Sequence, residues 1–192
     1  LLILLMARLL MVDSVDPQPE FRQVTFGRGT VMNARFAPDG ENVVYGARWN
    51  MKPIEVFSSR PGTPEARTLG YTNADILAVS SKGELAILLN RVGVGWFSGL
   101  GTLARVSIAG GTPREVLNEV KDADWYPDGE QYVVVRKAGG RWRLEQHPTQ
   151  GGGLQLAETS GTFGHPRVSP KGDWIAFSDH PVPKDSRGRI RL

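Results

Sequence analysis

Residues 34–41 read Ala34-Arg35-Phe36-Ala37-Pro38-Asp39-Gly40-Glu41, and this stretch decides the fold. It places a short strand-like segment before a turn of the pattern small-or-Pro, any residue, Gly, acidic. The pattern returns three times, as Ser81-Lys82-Gly83-Glu84, Pro127-Asp128-Gly129-Glu130 and Pro170-Lys171-Gly172-Asp173. The central glycines lie 43, 46 and 43 residues apart. A turn that returns at this interval predicts a series of four-stranded propeller blades, each of about 40–45 residues.

The segments on both sides of each turn have the composition of strands. They have the period-2 alternation and the β-branched or aromatic content of strands, and the segments after the turns are short apolar runs. The segments before the turns are 34–37, 77–80, 123–126 and 166–169, and those after the turns are 43–45, 85–88, 132–135 and 174–177. Glycine gives the turn a positive φ without a steric clash, and proline fixes φ where the turn begins. Each turn therefore joins two strands of one sheet.

A second hairpin follows each of the first three turns about 25 residues later. Its strand pairs are 54–57 with 67–69, 103–108 with 115–117, and 142–145 with 154–156. Two hairpins per period make four strands, which is one blade. No apolar stripe with a 3.6-residue period runs for three turns within residues 21–192, so we predict an all-β protein.

The repeats resemble the TolB-like Pro-Asp-Gly propeller repeats, which are distant relatives of WD repeats, over roughly residues 21–192. The order of segments 21–26, 101–106 and 179–181 is most similar to the propeller region after the single transmembrane helix of bacterial eukaryotic-like serine/threonine kinases. This resemblance implies a periplasmic or extracytoplasmic module. Two turns depart from the pattern, because Lys82 and Lys171 replace the Asp. That departure favours a turn-stabilising role for the Asp over a functional one.

The repeat boundaries predict an incomplete ring. We expect a closing strand at 21–26, full blades at about 31–72, 73–117 and 118–160, and a partial blade at 163–192. TolB-like rings usually have six blades, which requires roughly 260 residues at this period. The 192 residues are then a fragment of a six-bladed ring, and missing blades or a partner chain would be needed to close it.

Residues 1–20 differ from the rest of the chain. Residues 1–12 are almost wholly apolar, and 13–20 form an acidic linker that contains prolines. A hydrocarbon core requires about 20 apolar residues, so we interpret this segment as the stub of a membrane-spanning helix. The alternatives are the h-region of a signal peptide and an apolar helix packed on the propeller. The expected location is the bacterial cell membrane, with the propeller in the periplasm.

Composition and motifs indicate a chain that is not itself an enzyme. The formal net charge is +3 and cysteine is absent, so thiolate metal sites are excluded. The one basic cluster, 184–191, fits a solvated strand edge, and we expect no nucleic-acid partner. We found no nucleophile elbow, phosphate-binding loop, zinc-protease motif or kinase signature. His147, His165 and His180 are far apart in sequence, and we predict neither a metal nor a cofactor.

The loops after the second strands are the predicted binding region. They comprise residues 47–53, 91–99 and 178–185, and they should lie on one rim of the ring. Loops on a rigid scaffold often hold binding groups, and aromatic side chains are common in interfaces. The candidate rim residues are Arg48, Trp49, Trp96, Asp179 and His180. Trp49 and Trp96 could instead cap the blades, whereas Trp125 and Trp174 are expected in the core between blades.

Two functional hypotheses follow. The first is a non-catalytic sensor or interaction propeller, the extracytoplasmic part of a membrane-anchored bacterial serine/threonine kinase, which binds a protein, peptide or small ligand. The second is the gating propeller of a serine peptidase that resembles the prolyl oligopeptidase group, with its hydrolase domain elsewhere in the protein.

Overall fold

The computed structural model describes residues 19–63, 65–93, 98–185 and 187–192. Within these ranges the chain is all-β, as predicted, and none of it forms a helix that could cross a membrane. The strands are β1 (Gly29–Phe36), β2 (Val43–Trp49), β3 (Glu55–Ser59), β4 (Ala66–Thr72), β5 (Ala74–Val79), β6 (Glu84–Gly93), β7 (Gly99–Ser107), β8 (Arg114–Trp125), β9 (Gln131–Ala138), β10 (Arg141–Pro148), β11 (Leu154–Thr159), β12 (Thr162–Val168), β13 (Ile175–His180) and β14 (Arg189–Arg191).

These strands form antiparallel blades. Blade 1 is the sheet β1-β2-β3-β4. The next sheet has seven strands and contains two blades, because β8 pairs with β7 through its first half and with β9 through its second half. Blade 2 is therefore β5 to β7 with the first half of β8, and blade 3 is the second half of β8 with β9 to β11. Blade 4 contains β12, β13 and β14.

The last three of the four repeated turns also make contacts between blades. All four central glycines have a positive φ, between 65° and 78°. A Cβ on Gly129 would lie 3.1 Å from the Ser81 hydroxyl of the preceding blade, and a Cβ on Gly172 would lie 3.3 Å from Pro127. The Ser81 hydroxyl also donates a hydrogen bond to the Pro127 carbonyl, at 2.9 Å. Glycine thus suits the backbone conformation of all four turns, and at Gly129 and Gly172 it also leaves room for the neighbouring blade.

The Asp that precedes the turn glycine stabilises the turn through local hydrogen bonds. The Asp39 carboxylate accepts hydrogen bonds from the amides of Glu41 and Asn42, both at 2.9 Å. In the second turn Lys82 replaces the Asp, and the Ser80 hydroxyl accepts the equivalent bond from the amide of Glu84. The Asp therefore has a local role that a nearby serine can also perform.

Among the described residues the core consists of three apolar clusters, one between each pair of neighbouring blades. Val44 and Val56 of blade 1 pack with Ile76 and Ile87 of blade 2. The second cluster joins blades 2 and 3 and includes Trp125, and the third joins blades 3 and 4 through Phe163 and Phe177. Each blade therefore buries its apolar faces only against its neighbours, as in other repeat architectures.

The sequence predictions for residues 21–26, the two core tryptophans and the N-terminal segment have different outcomes. Residues 21–26 pair with no sheet in the described ranges, and their role as the closing strand of the ring stays a prediction. Trp125 is buried as predicted, but Trp174 is 58% exposed, because it lies between its turn and the start of β13 and not inside the sheet. The predicted membrane stub at 1–20 falls almost wholly on residues 1–18, which are outside the described ranges.

Candidate functional site

One end of the blades collects the loops that follow the second strands. At this end the first strand of each blade begins and the second strand ends. The pairing of Gly29 with Trp49 in blade 1 and of Thr162 with His180 in blade 4 shows this arrangement. We call this end the loop mouth, and the opposite end, with the four glycine turns, the turn face. The innermost strands β1, β5, the second half of β8 and β12 line the channel of a propeller, and we call them the channel wall.

Every innermost strand carries a β-bulge at a similar place. The register shifts lie between Val31 and Asn33, Ile76 and Ala78, Val120 and Asp122, and Gly164 and Arg167. A bulge changes the direction of side chains and is common beside functional sites. Polar residues occupy this part of all four strands, and they are Asn33, Asp75, Lys121, Asp122 and His165.

Asp75 is a buried carboxylate that links blades 1 and 2. Its side chain is 1% exposed. Oδ2 accepts a hydrogen bond from the Asn33 amide at 2.9 Å, and the Arg91 Nε atom lies 3.6 Å away. Oδ1 has no hydrogen-bond partner among the described residues and packs against Gly46, where a Cβ would lie only 1.9 Å away. A cavity of about 20 Å³ beside Asp75 and Arg91 is large enough for a water molecule.

Burial raises the pKa of Asp75 to about 6, despite the hydrogen bond from Asn33 and the charge of Arg91. Because the folded state holds this proton more tightly than the unfolded chain, the contribution of Asp75 to stability is greatest below pH 4. This contribution to the free energy of unfolding falls by up to about 3 kcal/mol as the pH rises from about 4 to 6.

We therefore expect Asp75→Asn, which keeps the shape but cannot ionise, to stabilise the protein relative to wild type increasingly between pH 4 and 6. Urea unfolding across this range measures the difference. Asp185→Asn is the control, because Arg187 holds the pKa of Asp185 below its usual value, so the difference from wild type should not grow as the pH rises from 4 to 6. A difference between wild type and Asp75→Asn that does not change with pH would contradict this account.

Asp122 and His165 form a second contact, between blades 3 and 4. The Asp122 Oδ2 atom accepts a hydrogen bond from the His165 amide at 3.1 Å, and the His165 Nδ1 atom lies 3.5 Å from the same oxygen. His165 has a φ of 52°, which is uncommon for a residue other than glycine, and its side chain is 75% exposed. Backbone strain at an exposed polar residue is frequent in binding sites.

The predicted rim residues of blade 1 have different environments. Arg48 is exposed at the end of β2. Trp49 is half-buried, its ring centroid is 6.2 Å from that of Phe57, and a Cβ on Gly29 would lie 2.8 Å from the Trp49 ring. The contacts of Trp49 match the capping alternative, whereas Arg48 is available to solvent.

The predicted residues of blade 4 are joined to its own third strand. Asp179 is buried and pairs with Arg189 at 3.0 Å and with Arg191 at 3.5 Å. His180 is half-buried, and a Cβ on Gly188 would lie 2.5 Å from its ring. Trp96 lies outside the described residues. The structure thus places Arg48 and His180 at equivalent ends of their second strands, but it engages Asp179 in ion pairs.

Alignment of the four repeats on their turn glycines is a sequence signal that could have added residues to the candidate rim set. Eight residues after each glycine the chain has a basic residue or histidine, namely Arg48, Arg91, Lys137 and His180. Arg48 and His180 were singled out from their loops, but Arg91 and Lys137 were not. The polar residues of the channel wall were missed as well, because a polar residue within a strand is usually interpreted as facing solvent.

Solved structures with a similar fold include two TolB proteins. TolB from Acinetobacter baumannii superposes with a TM-score of 0.66 at 15% identity, covering 85% of this chain and 40% of that protein. The putative TolB from Agrobacterium tumefaciens gives 0.72 at 18% identity, covering 92% of this chain and 66% of that protein. This chain therefore spans less than two thirds of the length of either protein.

Peptidase propellers have the same architecture. The β-propeller domain of the Trilobed protease from Pyrococcus furiosus gives a TM-score of 0.53 at 12% identity, covering 88% of this chain and 58% of that domain. No protein-family model and no curated protein sequence matches the chain. The comparisons show a TolB-like β-propeller fold, and identities this low show the fold alone.

Proposed function

We propose that this chain is a non-catalytic binding propeller that recognises a protein, peptide or small ligand at the loop mouth. The observation that carries the proposal is the set of four bulges, which bring polar side chains from all four blades to the same part of the channel wall. Larger propellers enclose ligand channels of this kind, and binding residues concentrate where loops meet a rigid scaffold.

The hydrogen bonding of the titratable groups supports binding over catalysis. Asp122 and Asp124 accept backbone amides of blade 4, and Glu145 is bonded to His147 at 2.9 Å and to Arg136 at 2.8 Å. These carboxylates are engaged in joining strands and blades. Among the described residues, no group of three His, Cys, Asp or Glu side chains could hold a metal ion.

In the fuller form of the proposal, the propeller is the periplasmic part of a membrane-anchored bacterial serine/threonine kinase. Its support is the order of sequence segments that resembles such kinases, together with the apolar residues 1–12. The alternative is the gating propeller of a prolyl-oligopeptidase-like peptidase. The flanking coding sequence distinguishes them: kinase signatures before Leu1 support the first, and a Gly-x-Ser-x-Gly motif after Leu192 would overturn it in favour of the second.

Partner retention tests the loop mouth directly. The chain is immobilised and exposed to an envelope extract of its source bacterium, and retained molecules are identified by mass spectrometry. We expect Arg48→Ala and His165→Asn to lose a component that wild type retains, because both side chains are exposed at or near the mouth. Asn is used at 165 because it tolerates a positive φ.

Lys171→Ala, an exposed change at the turn face, is the matched control and should retain the component. Trp49 is unsuitable for this test, because its substitution would also remove the packing on Phe57, and lost binding could not be distinguished from lost structure. Equal retention by all the variants, or equal loss in Lys171→Ala, would overturn the proposal.

A further inference from the structure

The loops and strand ends of the loop mouth carry more cations than carboxylates. The cations there that form no ion pair with a described residue are Arg28, Arg48, Lys52, Lys137 and Lys184. The carboxylates at this end that likewise lie outside the ion pairs of the described residues are Glu55 and Glu119. The mouth therefore has an excess of positive charge that the described part of the chain does not neutralise.

Three of these cations lie together on blade 1. The Asn50 amide donates a hydrogen bond to the Arg28 carbonyl at 3.1 Å, and the Lys52 amide donates to the Trp49 carbonyl at 3.0 Å. These bonds bring residue 28 and the turn after β2 beside Arg48. The side chains of Arg28, Arg48 and Lys52 are all exposed. Like charges so close together repel each other, and carboxylates from outside the chain would relieve that repulsion.

On blades 3 and 4 the arginines near the mouth outnumber their carboxylate partners. Two carboxylates are each shared by a pair of arginines, namely Glu158 by Arg141 and Arg143, and Asp179 by Arg189 and Arg191. One carboxylate neutralises only one of two guanidinium groups. Three of these four arginine side chains are at least half exposed, so they can also meet a partner from solvent.

The turn face has the opposite balance among the described residues. The carboxylates there that lie outside ion pairs are Asp39, Glu65, Glu115, Asp128 and Asp173, and the cations outside ion pairs are Arg67, Arg114 and Lys171. The formal net charge of the whole chain is only +3. The positive charge of the loop mouth is therefore a feature of one end of the molecule and not of its overall composition.

We propose that the loop mouth binds an acidic segment of a partner protein, in which Asp or Glu residues alternate with uncharged ones. The cations lie on blades 1, 3 and 4, so an extended segment with several carboxylates can reach more than one group of them, and complementary charge speeds and orients association. Glu55 and Glu119 interrupt the positive surface, and they would repel the closely spaced phosphates of a nucleic acid more than a segment of lower charge density. This inference rests on the proposed binding role of the chain and names the class of partner.

Fluorescence anisotropy with a labelled peptide of alternating Glu and Ser residues tests this charge preference. The same peptide with Gln in place of Glu is the uncharged control, and oligothymidylate and phosphatidylglycerol vesicles are the competing polyanions. We expect saturable binding of the Glu-Ser peptide to the wild-type chain, no binding of the Gln-Ser peptide, and weaker binding of both competitors. Binding of the Glu-Ser peptide should also weaken as salt rises, because the cations are exposed.

Two double variants locate the binding surface. Arg48→Gln with Lys52→Gln removes two positive charges from the mouth and should weaken binding of the Glu-Ser peptide by about fivefold or more, because each exposed ion pair adds a modest amount. Arg114→Gln with Lys171→Gln removes the same charge from the turn face and should leave the affinity unchanged. All four side chains are exposed, so both variants should melt as the wild-type chain does.

Absence of saturable Glu-Ser peptide binding, equal weakening in the turn-face variant, or tighter binding of oligothymidylate or vesicles would overturn the inference. The component retained from the envelope extract separates the two proposals. If excess Glu-Ser peptide does not displace that component, the acidic partner is wrong while the binding role stands. If the Glu-Ser peptide binds at the mouth but all the retention variants keep the component, the binding role fails while the charge preference stands.

Discussion

Arg105→Ala should lower the free energy of unfolding by about 3 kcal/mol or more, because the substitution leaves a half-buried carboxylate without its partner. The Arg105 guanidinium binds both oxygens of Glu84, at 3.0 and 2.7 Å, and donates to the Thr149 carbonyl of blade 3 at 2.9 Å. It also lies 5.4 Å from the Trp125 ring centroid and 5.8 Å from that of Tyr132, within the range of cation–π contact. One side chain thus joins blades 2 and 3. Chemical denaturation followed by tryptophan fluorescence measures the loss.

Arg60→Ala provides the comparison, because Arg60 also pairs with a carboxylate, that of Glu41, but both side chains are more than half exposed. An exposed pair of this kind contributes at most about 1 kcal/mol. The double variant Arg105→Ala with Glu84→Gln should recover part of the loss, since it removes the uncompensated charge. If Arg105→Ala unfolds at the same denaturant concentration as Arg60→Ala, Arg105 does not hold the two blades together.

The blade architecture could be predicted from sequence because its determinants are local. Each glycine turn is encoded within four residues, and the strand after it is a continuous apolar run. The spacing of the turns then fixes the length of the repeating unit. Residues 21–26 show the limit of this reasoning, because a strand-like composition forms a strand only where another strand offers a free edge.

The channel wall could be predicted less well, because its arrangement depends on irregularities that composition does not encode. The bulge between Ile76 and Ala78 shifts the pairing of β5, and no residue type in that strand indicates the shift. Asp75, in the same strand, is buried against the neighbouring blade. The space that Asp75 occupies exists because residue 46 is glycine, which lies 29 residues earlier in the chain.

Phe163→Ala should lower the free energy of unfolding by about 3–5 kcal/mol, which is the usual loss when a fully buried aromatic side chain is removed from a core. Phe163 is 1% exposed and packs edge-on against Phe177, with ring centroids 5.3 Å apart. It belongs to the cluster that joins blade 3 to blade 4, together with Val133, Val135 and Leu144. Because each blade is stabilised mainly by its neighbours, the loss should be concentrated at one end of the array.

Hydrogen exchange should therefore show reduced protection of amides in β12 and β13 of Phe163→Ala, while the amides of β2 and β6 keep wild-type protection. Trp174→Ala is the matched control in the same blade, because this aromatic side chain is 58% exposed and its removal should change stability by about 0.5 kcal/mol or less. Uniform loss of protection across all four blades would show that the chain unfolds as one unit, and the nearest-neighbour account of its stability would then be wrong. A loss confined to blade 4 would instead show that the interface between blades 3 and 4 can open while the charged channel wall of blades 1 to 3 stays assembled.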